Sequence, residues 1–318
     1  MSTKIRNRTL ATLILALFTA EFANAQALVG TRASGMAGAY VGVADDATAV
    51  YWNPAGIAAT TIVSIVIDAG AQATVAGPLQ RAAGQQDTTA VVALSATAIG
   101  VAYYRVGTYG TRPAEPVVSG ASSREEVGRS VQGLTTSTLG VSLLQSFTEF
   151  VVVGVTPKAV WGSFDDSSTT RFDVDAGAML VVNRLRVGVV GRNLTTPEFE
   201  DAFGLPPVEL EREVRIGGAW GSGWSGISRF IVSFDSDVMS RPTPAGDRRD
   251  IAAGVETWWL DQRLGVRGGL RRSTIGEARG AVAAGISAGL KPGMLVEAHV
   301  VRGHADEHSW SVGARMSF

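Results

Sequence analysis

SWSVGARMSF, residues 309–318, ends the chain and alternates between two kinds of side chain. Every second residue from Trp310 to Phe318 is apolar, and the residues between them are serine, glycine or arginine. Because side chains in a strand point alternately to opposite faces, this stretch has one apolar and one polar face. Such a strand fits a membrane β-barrel, and it also fits the half-buried edge of a soluble sheet. How often the pattern recurs decides between them.

The alternating pattern recurs along most of the chain and predicts about 14 strands, an even number as bacterial outer-membrane barrels require. The predicted strands lie near Ile62–Asp68, Thr88–Ser95, Ala98–Thr108, Gln132–Ser146, Glu149–Trp161, Arg171–Val182, Leu185–Asn193, Glu213–Gly221, Ser228–Asp237, Asp250–Trp258, Arg263–Arg271, Gly280–Gly289, Met294–Arg302 and Ser309–Phe318.

The links between the strands alternate between short and long. Tight turns are predicted at Ala96-Thr97, Phe147-Thr148, Asn183-Arg184 and Asp261-Gln262. Longer polar links separate them, such as Tyr109–Val131, Gly162–Thr170 and Thr195–Arg212. Outer-membrane barrels have short periplasmic turns and long outer loops, so the alternation favours this fold over a soluble sandwich. We predict an all-β, transmembrane antiparallel barrel with a short N-terminal periplasmic or plug segment.

Charged residues in the predicted strands share one face. A charge that faces lipid at the middle of the bilayer costs about 2–4 kcal/mol, so these residues are predicted to form ion pairs in the lumen. The candidates are Arg171, Asp173, Asp175, Asp235, Glu256, Arg263, Arg267, Arg271 and Glu297. Pairs that only stabilise the barrel interior are the simpler interpretation than an ion path. Trp161, Trp220, Trp258 and Trp259 lie near strand ends, where an aromatic belt is expected.

The N-terminus has the features of a secretory signal peptide. Basic residues precede the apolar stretch Leu10–Ala20, and the small residues Ala23-Asn24-Ala25 follow it. The apolar stretch is too short to span a bilayer as a helix, and no later apolar run reaches that length. We therefore predict a signal peptide at 1–25, a plug-like segment at 26–60 and the barrel at 61–318.

Composition and motifs argue against several other functions. The chain has no cysteine, 18% charged residues and a net charge of −1, which suggests no nucleic-acid partner. His304 and His308 are spaced like helical metal ligands but lie in a predicted loop between strands, so no metal is predicted. No serine occupies a recognisable nucleophile motif. We predict no enzymatic activity and no cofactor.

GTRASGMAGAYVGVADDATAVYWNPAGIA, residues 30–58, resembles the opening of FadL-type and PorV/PorQ-type outer-membrane proteins. The matching positions are Gly30, Arg32, Ala33, Gly35, Met36, Gly38, Ala39, Ala44, Asp45, Asp46, Asn53, Pro54, Ala55 and Gly56. A second block, Val187–Gly218, is similar to the PorV/PorQ family in its Asn-Leu, loop, proline and strand order. The terminal Phe318 resembles the signal that the barrel-assembly machinery reads in outer-membrane proteins.

The resemblance implies an outer-membrane protein of a Gram-negative bacterium, in contact with membrane lipids and with the assembly machinery during biogenesis. In FadL proteins the N-terminal segment fills the barrel as a hatch, so Asn53, Pro54, Ala55 and Gly56 are candidates for a ligand-binding gate. These residues could equally be a helix stop that packs in the barrel mouth. The chain is shorter than typical FadL transporters, which leaves a full hatch and fatty-acid pocket open.

Two functions remain open at this stage. The first is passive uptake of hydrophobic small molecules across the outer membrane. The second is a PorV/PorQ-like, secretion-associated barrel that binds exported proteins or partner subunits and transports no small molecule. An apolar route from the outer loops to Asn53 would favour transport, and a lumen closed by arginine–carboxylate pairs would favour partner binding. The sequence does not identify a substrate or an oligomeric state.

Overall fold

The structure is a computed structural model, and it describes residues 29–75, 84–113, 129–164, 167–199, 208–222, 230–241, 247–260, 262–276, 279–304 and 307–318. The predicted signal peptide therefore lies outside the described residues. No helix in the described ranges is long and apolar enough to cross a membrane.

A closed antiparallel barrel of 14 strands makes up most of the described chain, which confirms the predicted fold. Each barrel strand pairs with the next one along the chain, and β1 closes the ring by pairing with β16. Two further short strands, β8 and β9, pair with each other in the loop between β7 and β10. The strands are β1 Val63–Val75, β2 Gly84–Ala96, β3 Ile99–Pro113, β4 Arg129–Ser146, β5 Val151–Phe164, β6 Ser167–Val182, β7 Leu185–Arg192, β8 Glu198–Phe199, β9 Val208–Glu209, β10 Glu213–Gly221, β11 Phe230–Asp237, β12 Asp250–Trp259, β13 Leu264–Ser273, β14 Gly280–Lys291, β15 Met294–Gly303 and β16 His308–Ser317.

The two faces of each strand meet different surroundings. On the closing strand β16, Trp310 is 43% exposed and Val312 is 53% exposed, whereas Arg315 on the opposite face is buried. Large apolar side chains such as Phe172 and Leu270 are exposed on the outside in the same way. The alternation therefore places an apolar surface outside and polar side chains in the lumen, as a membrane barrel requires.

The strands differ in length around the ring. β4 has 18 residues and β6 has 16, whereas β7 and β11 have 8 each. The polar link predicted at Gly162–Thr170 is mostly strand, because β5 continues to Phe164 and β6 starts at Ser167. The stretch was predicted to be a loop because its residues are polar. The hydrogen-bonded pairing of β5 with β6 nevertheless continues to Phe164 and Ser167. One side of the barrel is consequently taller.

Residues 29–62, which we call the plug, lie inside the barrel. The plug contains the helices α1 (Thr31–Gly35) and α2 (Ala49–Trp52) and the 3-10 helix η1 (Pro54–Ala59). Asn53 leaves the helical region at φ −166°, and Pro54 then starts η1, where its missing N–H is not needed. α1 contacts β1 and β13–β16, while η1 contacts β3–β6 on the other side.

Candidate functional site

The four predicted gate residues lie together against the barrel wall. Asn53 is fully buried, and its side-chain amide donates to the carbonyl oxygens of Val41 at 3.2 Å and Ala178 at 3.3 Å. Its side-chain oxygen accepts a hydrogen bond from the backbone N–H of Ala55 at 3.2 Å. Asn53 thus joins two parts of the plug to strand β6. Pro54, Ala55 and Gly56 are buried beside it.

Wall glycines make this close approach possible. A Cβ atom placed on Gly154 would lie 2.5 Å from the carbonyl carbon of Pro54 and 2.6 Å from the nitrogen of Ala55. Gly177, paired with Gly154 in the neighbouring strand, faces the side chain of Asn53 in the same way. Only glycine leaves room for the plug backbone at Gly154. The gate residues therefore lie in a shallow seat that the wall provides.

Arg32 joins the plug to the opposite wall through charge. Its Nε and Nη2 atoms donate to Glu256 at 2.9 and 2.7 Å, and its Nη1 atom donates to the hydroxyl of Tyr40 at 2.9 Å. Arg32 also pairs with Asp45 and Asp46. Burial lowers the pKa of Arg32, but Asp45 and Glu256 outweigh that effect and raise the pKa well above its ordinary value. Arg32 therefore remains charged inside the lumen.

The ion pairs continue around a closed circuit, which we call the ion-pair ring. Glu256 contacts Arg267 at 3.2 Å, and Arg267 contacts Glu297 at 3.1 Å. Arg315 contacts Glu297 at 3.1 Å and returns to Asp46 of the plug at 3.7 Å. Burial raises the pKa of Asp46, but Arg32 and Arg315 outweigh it and lower the pKa below its ordinary value. The members are Arg32, Asp46, Glu256, Arg267, Glu297 and Arg315.

The remaining predicted lumen residues occupy several environments. Asp173 and Asp175 contact the ammonium group of Lys158 at 3.0 and 2.7 Å, and Arg271 pairs with Glu307. Asp235 accepts hydrogen bonds from the backbone N–H groups of Tyr40 and Val41 at 2.8 and 2.9 Å. Arg171 donates to the carbonyl oxygen of Glu198 at 3.1 Å, in the outer loop.

Two predicted positions differ from the structure. Arg263 is exposed in the turn between β12 and β13 and does not line the lumen, because the strand alternation starts only at Leu264. Trp258 faces the lumen and donates to Glu256 at 3.0 Å, so it does not belong to an outer aromatic belt.

Three further charged residues, Arg32, Lys158 and Arg315, lie in the lumen and were not among the predicted lumen residues. Arg315 lies on the polar face of the closing strand, so the alternation could have identified it.

Opposite walls of the lumen differ in charge. The lumen faces of β11–β13, which we call the charged wall, carry six buried ionisable residues. They are Asp235, Asp237, Asp250, Glu256, Arg267 and Arg271. The lumen faces of β2–β4, which we call the apolar wall, carry Val91, Ala93, Ala102 and Tyr104 together with the uncharged hydroxyl residues Ser95, Thr136, Thr138 and Ser142. Asp87 is the charged residue among their described side chains. In the order of the closed ring, β3 and β12 lie half a circuit apart.

Aromatic side chains of the plug turn toward the apolar wall. The rings of Tyr51 and Tyr104 meet edge to face with centroids 5.3 Å apart, and Tyr51 contacts Trp52 in the same manner at 5.5 Å. Val50 and Ile57 belong to the same buried cluster as the wall residues. The polar half of the plug binds the charged wall. Its aromatic half packs on the apolar wall, and the rings of Tyr51 and Trp52 also contact the guanidinium groups of Arg192 at 4.1 Å and Arg215 at 5.7 Å.

The outer loop after β7 folds over part of the lumen. Asn193 accepts a hydrogen bond from Lys158 at 2.8 Å, and the backbone N–H of Thr195 donates to Asp173 at 3.0 Å. Phe199 is buried against Leu134 and Val160 of the tall side. The described part of this loop, residues 193–199 and 208–212, covers the outer end of the lumen beside the apolar wall.

Solved structures with the same fold include a hydrocarbon channel, a toluene transporter and a FadL homologue. The CymD monoaromatic hydrocarbon channel superposes with a TM-score of 0.67 at 12% identity, over 92% of this chain and 99% of that chain. A Pseudomonas aeruginosa FadL homologue gives 0.59 at 12% identity, over 94% and 99%. The Pseudomonas putida toluene transporter TodX gives 0.58 at 10% identity, over 93% and 98%. At these identities the likeness establishes the fold.

Sequence comparison gives a family as well. The family model described as "F plasmid transfer operon, TraF, protein" matches residues 18–237, which is more than half of the 318 residues. No curated protein sequence matches the chain.

Proposed function

The chain belongs to the family of F plasmid transfer operon TraF proteins, and we propose that this member is an outer-membrane channel for passive uptake of hydrophobic small molecules. The apolar wall carries this proposal. A hydrophobic molecule can lie between the plug aromatics and β2–β4 without displacing any member of the ion-pair ring, because the strand members of the ring lie on β12, β13, β15 and β16. Dispersion and apolar burial are sufficient to bind such a molecule there.

The proposed route has three steps. The molecule enters at the outer end, where the loop that carries Phe199 covers the lumen. It then follows the apolar wall past Tyr104 and Tyr51. It leaves at Asn53–Gly56, into the lumen below or through a lateral opening. The gate residues contact the wall through Gly154 and Gly177, so their backbone lies directly against β5 and β6.

The solved structures with the same fold support the proposal of a channel for hydrophobic molecules. CymD is described as a monoaromatic hydrocarbon channel and TodX as a toluene transporter. Both share the barrel fold of this chain over nearly their whole length. We also propose an outer-membrane location, which the same likeness and the apolar outer surface support.

A second candidate function rests on the ion-pair ring. Its members close the lumen on the charged side with paired arginines and carboxylates, an arrangement that favours a barrel which binds partners and transports nothing. In that case the barrel would bind exported proteins or secretion-system subunits. The outer loop between β7 and β10 would be the binding surface, and it carries the β8–β9 hairpin.

Uptake of labelled toluene, an alkane and a fatty acid by cells with and without the protein tests the channel. Tyr104→Asn places a polar group on the apolar wall, and Tyr103→Asn, one residue away on the lipid-facing side, is the matched control. Burying an amide without a partner costs about 1–3 kcal/mol, so uptake should fall about tenfold in Tyr104→Asn and stay near wild type in Tyr103→Asn. Equal uptake with and without the protein for all three compounds would refute the channel.

The partner hypothesis has a separate test. The full chain, extracted from membranes in mild detergent, should retain an exported protein or a secretion component. Deletion of the β8–β9 hairpin should release it. A chain that is recovered without any such protein would leave the channel as the surviving function.

A further inference from the structure

Three lipid-facing rows of the barrel end in arginine at the outer rim. On β13 the row runs through Val266 and Leu270 to Arg272, and on β15 it runs through Val296 and Val300 to Arg302. Arg249, directly before β12, continues the row that contains Ile251. All three arginines are exposed. We call Arg249, Arg272 and Arg302 the outer arginines.

Trp310 gives the depth of the outer arginines relative to the bilayer. It faces outward on β16 and is paired across the sheet with Val300 of β15. Tryptophan is enriched where the hydrocarbon core meets the headgroups. Arg302 is paired with His308, two residues farther toward the outer end, which is about 6–7 Å along a strand. Arg302 therefore lies at headgroup depth, and Arg272 and Arg249 end the neighbouring lipid-facing rows at the same rim.

Arg249 and Arg272 each directly follow an arginine that faces the lumen, and the two kinds of arginine differ in their ion pairs. Arg248 faces inward and contacts Asp250 at 2.8 Å, and Arg271 faces inward and pairs with Glu307. Their outward neighbours Arg249 and Arg272 form no ion pair with any residue in the described ranges, and neither does Arg302. Arg249 donates to the hydroxyl of Thr274 at 3.1 Å, which fixes its side chain at the end of β13. The chain thus neutralises its inward arginines and leaves the outward ones open to an external anion.

We propose that the outer arginines bind phosphate groups of lipid headgroups in the outer leaflet. A guanidinium matches a phosphate with two parallel hydrogen bonds, and this contact is strong because both partners are charged. One strand, β14, separates Arg272 from Arg302, and the two pair with Gly280 and Val282 of that strand, which places their backbones about 12 Å apart. That spacing lets two phosphates lie side by side against one face of the barrel. The surface continues directly from the apolar outer face that the lipid chains already cover.

Lipid retention by the purified full chain tests the proposal. The protein is incorporated into nanodiscs of phosphatidylcholine with a minor fraction of phosphatidic acid, and the phosphatidic acid that copurifies after mild detergent extraction is counted. Each arginine near an anionic surface contributes an affinity factor of about five, so Arg272→Gln with Arg302→Gln should lower retention by roughly 25-fold. The matched control is Arg184→Gln with Arg263→Gln, which removes two exposed arginines from turns at the other end of the barrel. The control pair should retain phosphatidic acid within about twofold of wild type.

Two further measurements separate binding from folding. Arg272→Lys with Arg302→Lys retains the charge and should retain most of the lipid, while circular dichroism and heat-modifiable gel migration verify the barrel. Raising the salt concentration should release the lipid from the wild-type chain, because exposed charges are screened. The proposal is overturned if the outer glutamine pair retains as much phosphatidic acid as wild type, if both glutamine pairs lose it equally, or if salt has no effect on the wild type.

Discussion

The charged wall and the apolar wall bind the same plug by different forces. On the charged wall, Arg32 of the plug pairs with Glu256, and the ring of buried ion pairs continues through Arg267 to β15 and β16 and back to Asp46 of the plug. On the apolar wall, Tyr51 meets Tyr104 through ring edges and apolar surface. Removing one member of a buried ion pair leaves an uncompensated charge, whereas separating apolar surfaces costs only in proportion to their area. The comparison indicates that the plug is fixed on one side and can yield on the other.

This difference suits a channel for hydrophobic molecules. A ligand that enters at the apolar wall replaces plug–wall contacts with its own apolar contacts, so the net cost of separating the two is small. The same ligand has no charge or hydrogen-bonding group that could replace a broken arginine–carboxylate pair. We therefore expect opening to start between the plug aromatics and β2–β4, with the ion-pair ring intact. Variants on either wall test this expectation.

The largest effect is expected from Arg32→Ala on the charged side. This change leaves Glu256, Asp45 and Asp46 with one cation fewer among them, and losing one partner of a buried pair costs about 3–5 kcal/mol. The plug should leave the lumen while the barrel stays folded. Limited proteolysis would then cut within the plug, and planar-bilayer recordings would show increased conductance.

Arg263→Ala is the control for the charged side, because this arginine is exposed in a turn away from the plug. It should show neither new cleavage nor extra conductance. If Arg32→Ala keeps the wild-type protease pattern, the ion-pair ring does not fix the plug and the comparison of the two walls fails.

A smaller effect is expected from Gly154→Ala beneath the gate residues. The new methyl group would meet the backbone of Pro54 and Ala55 at 2.5 and 2.6 Å, and overpacking of this kind costs about 1–3 kcal/mol. Gly268→Ala is matched in chemistry, but its methyl group would lie 3.7 Å from the nearest atom, the carbonyl oxygen of Ala283. Thermal unfolding should show a lower midpoint for Gly154→Ala only. Equal midpoints would mean that the plug shifts freely at this seat.

The sequence predicts the barrel well because the two-residue alternation and the turn spacing are local signals. The alternation from Trp310 to Phe318 reports directly on the two faces that the closed sheet separates. The same logic placed Asp173 and Asp175 on the lumen face of β6. It fails at Arg263, because a pattern carries no information about the residue at which a strand begins.

The site is less predictable because its contacts join distant parts of the chain. Arg32 and Glu256 are 224 positions apart in sequence. Their contact depends on the strand order, on the register of each pair and on the depth to which the plug enters. In the sequence, Arg32 was only one of the positions at which residues 30–58 resemble the FadL and PorV/PorQ families, and nothing indicated that Glu256 is its partner. The difference between the two walls likewise appears only once the ring of strands is closed, since β3 and β12 are remote along the chain.

The smallest effect is expected on the apolar side, from the aromatic pair Tyr51 and Tyr104. Leucine in place of each tyrosine retains an apolar side chain but removes the edge-to-face contact, which contributes about 0.5–1.5 kcal/mol. The two single variants and the double variant form a cycle that isolates the pair, measured as the unfolding free energy of the plug by protease protection. A parallel cycle with Arg32→Ala and Glu256→Ala should give a coupling energy several times larger. If the tyrosine pair couples as strongly as the ion pair, the plug is fixed equally on both walls, and a hydrophobic ligand would gain no advantage from entering beside β2–β4.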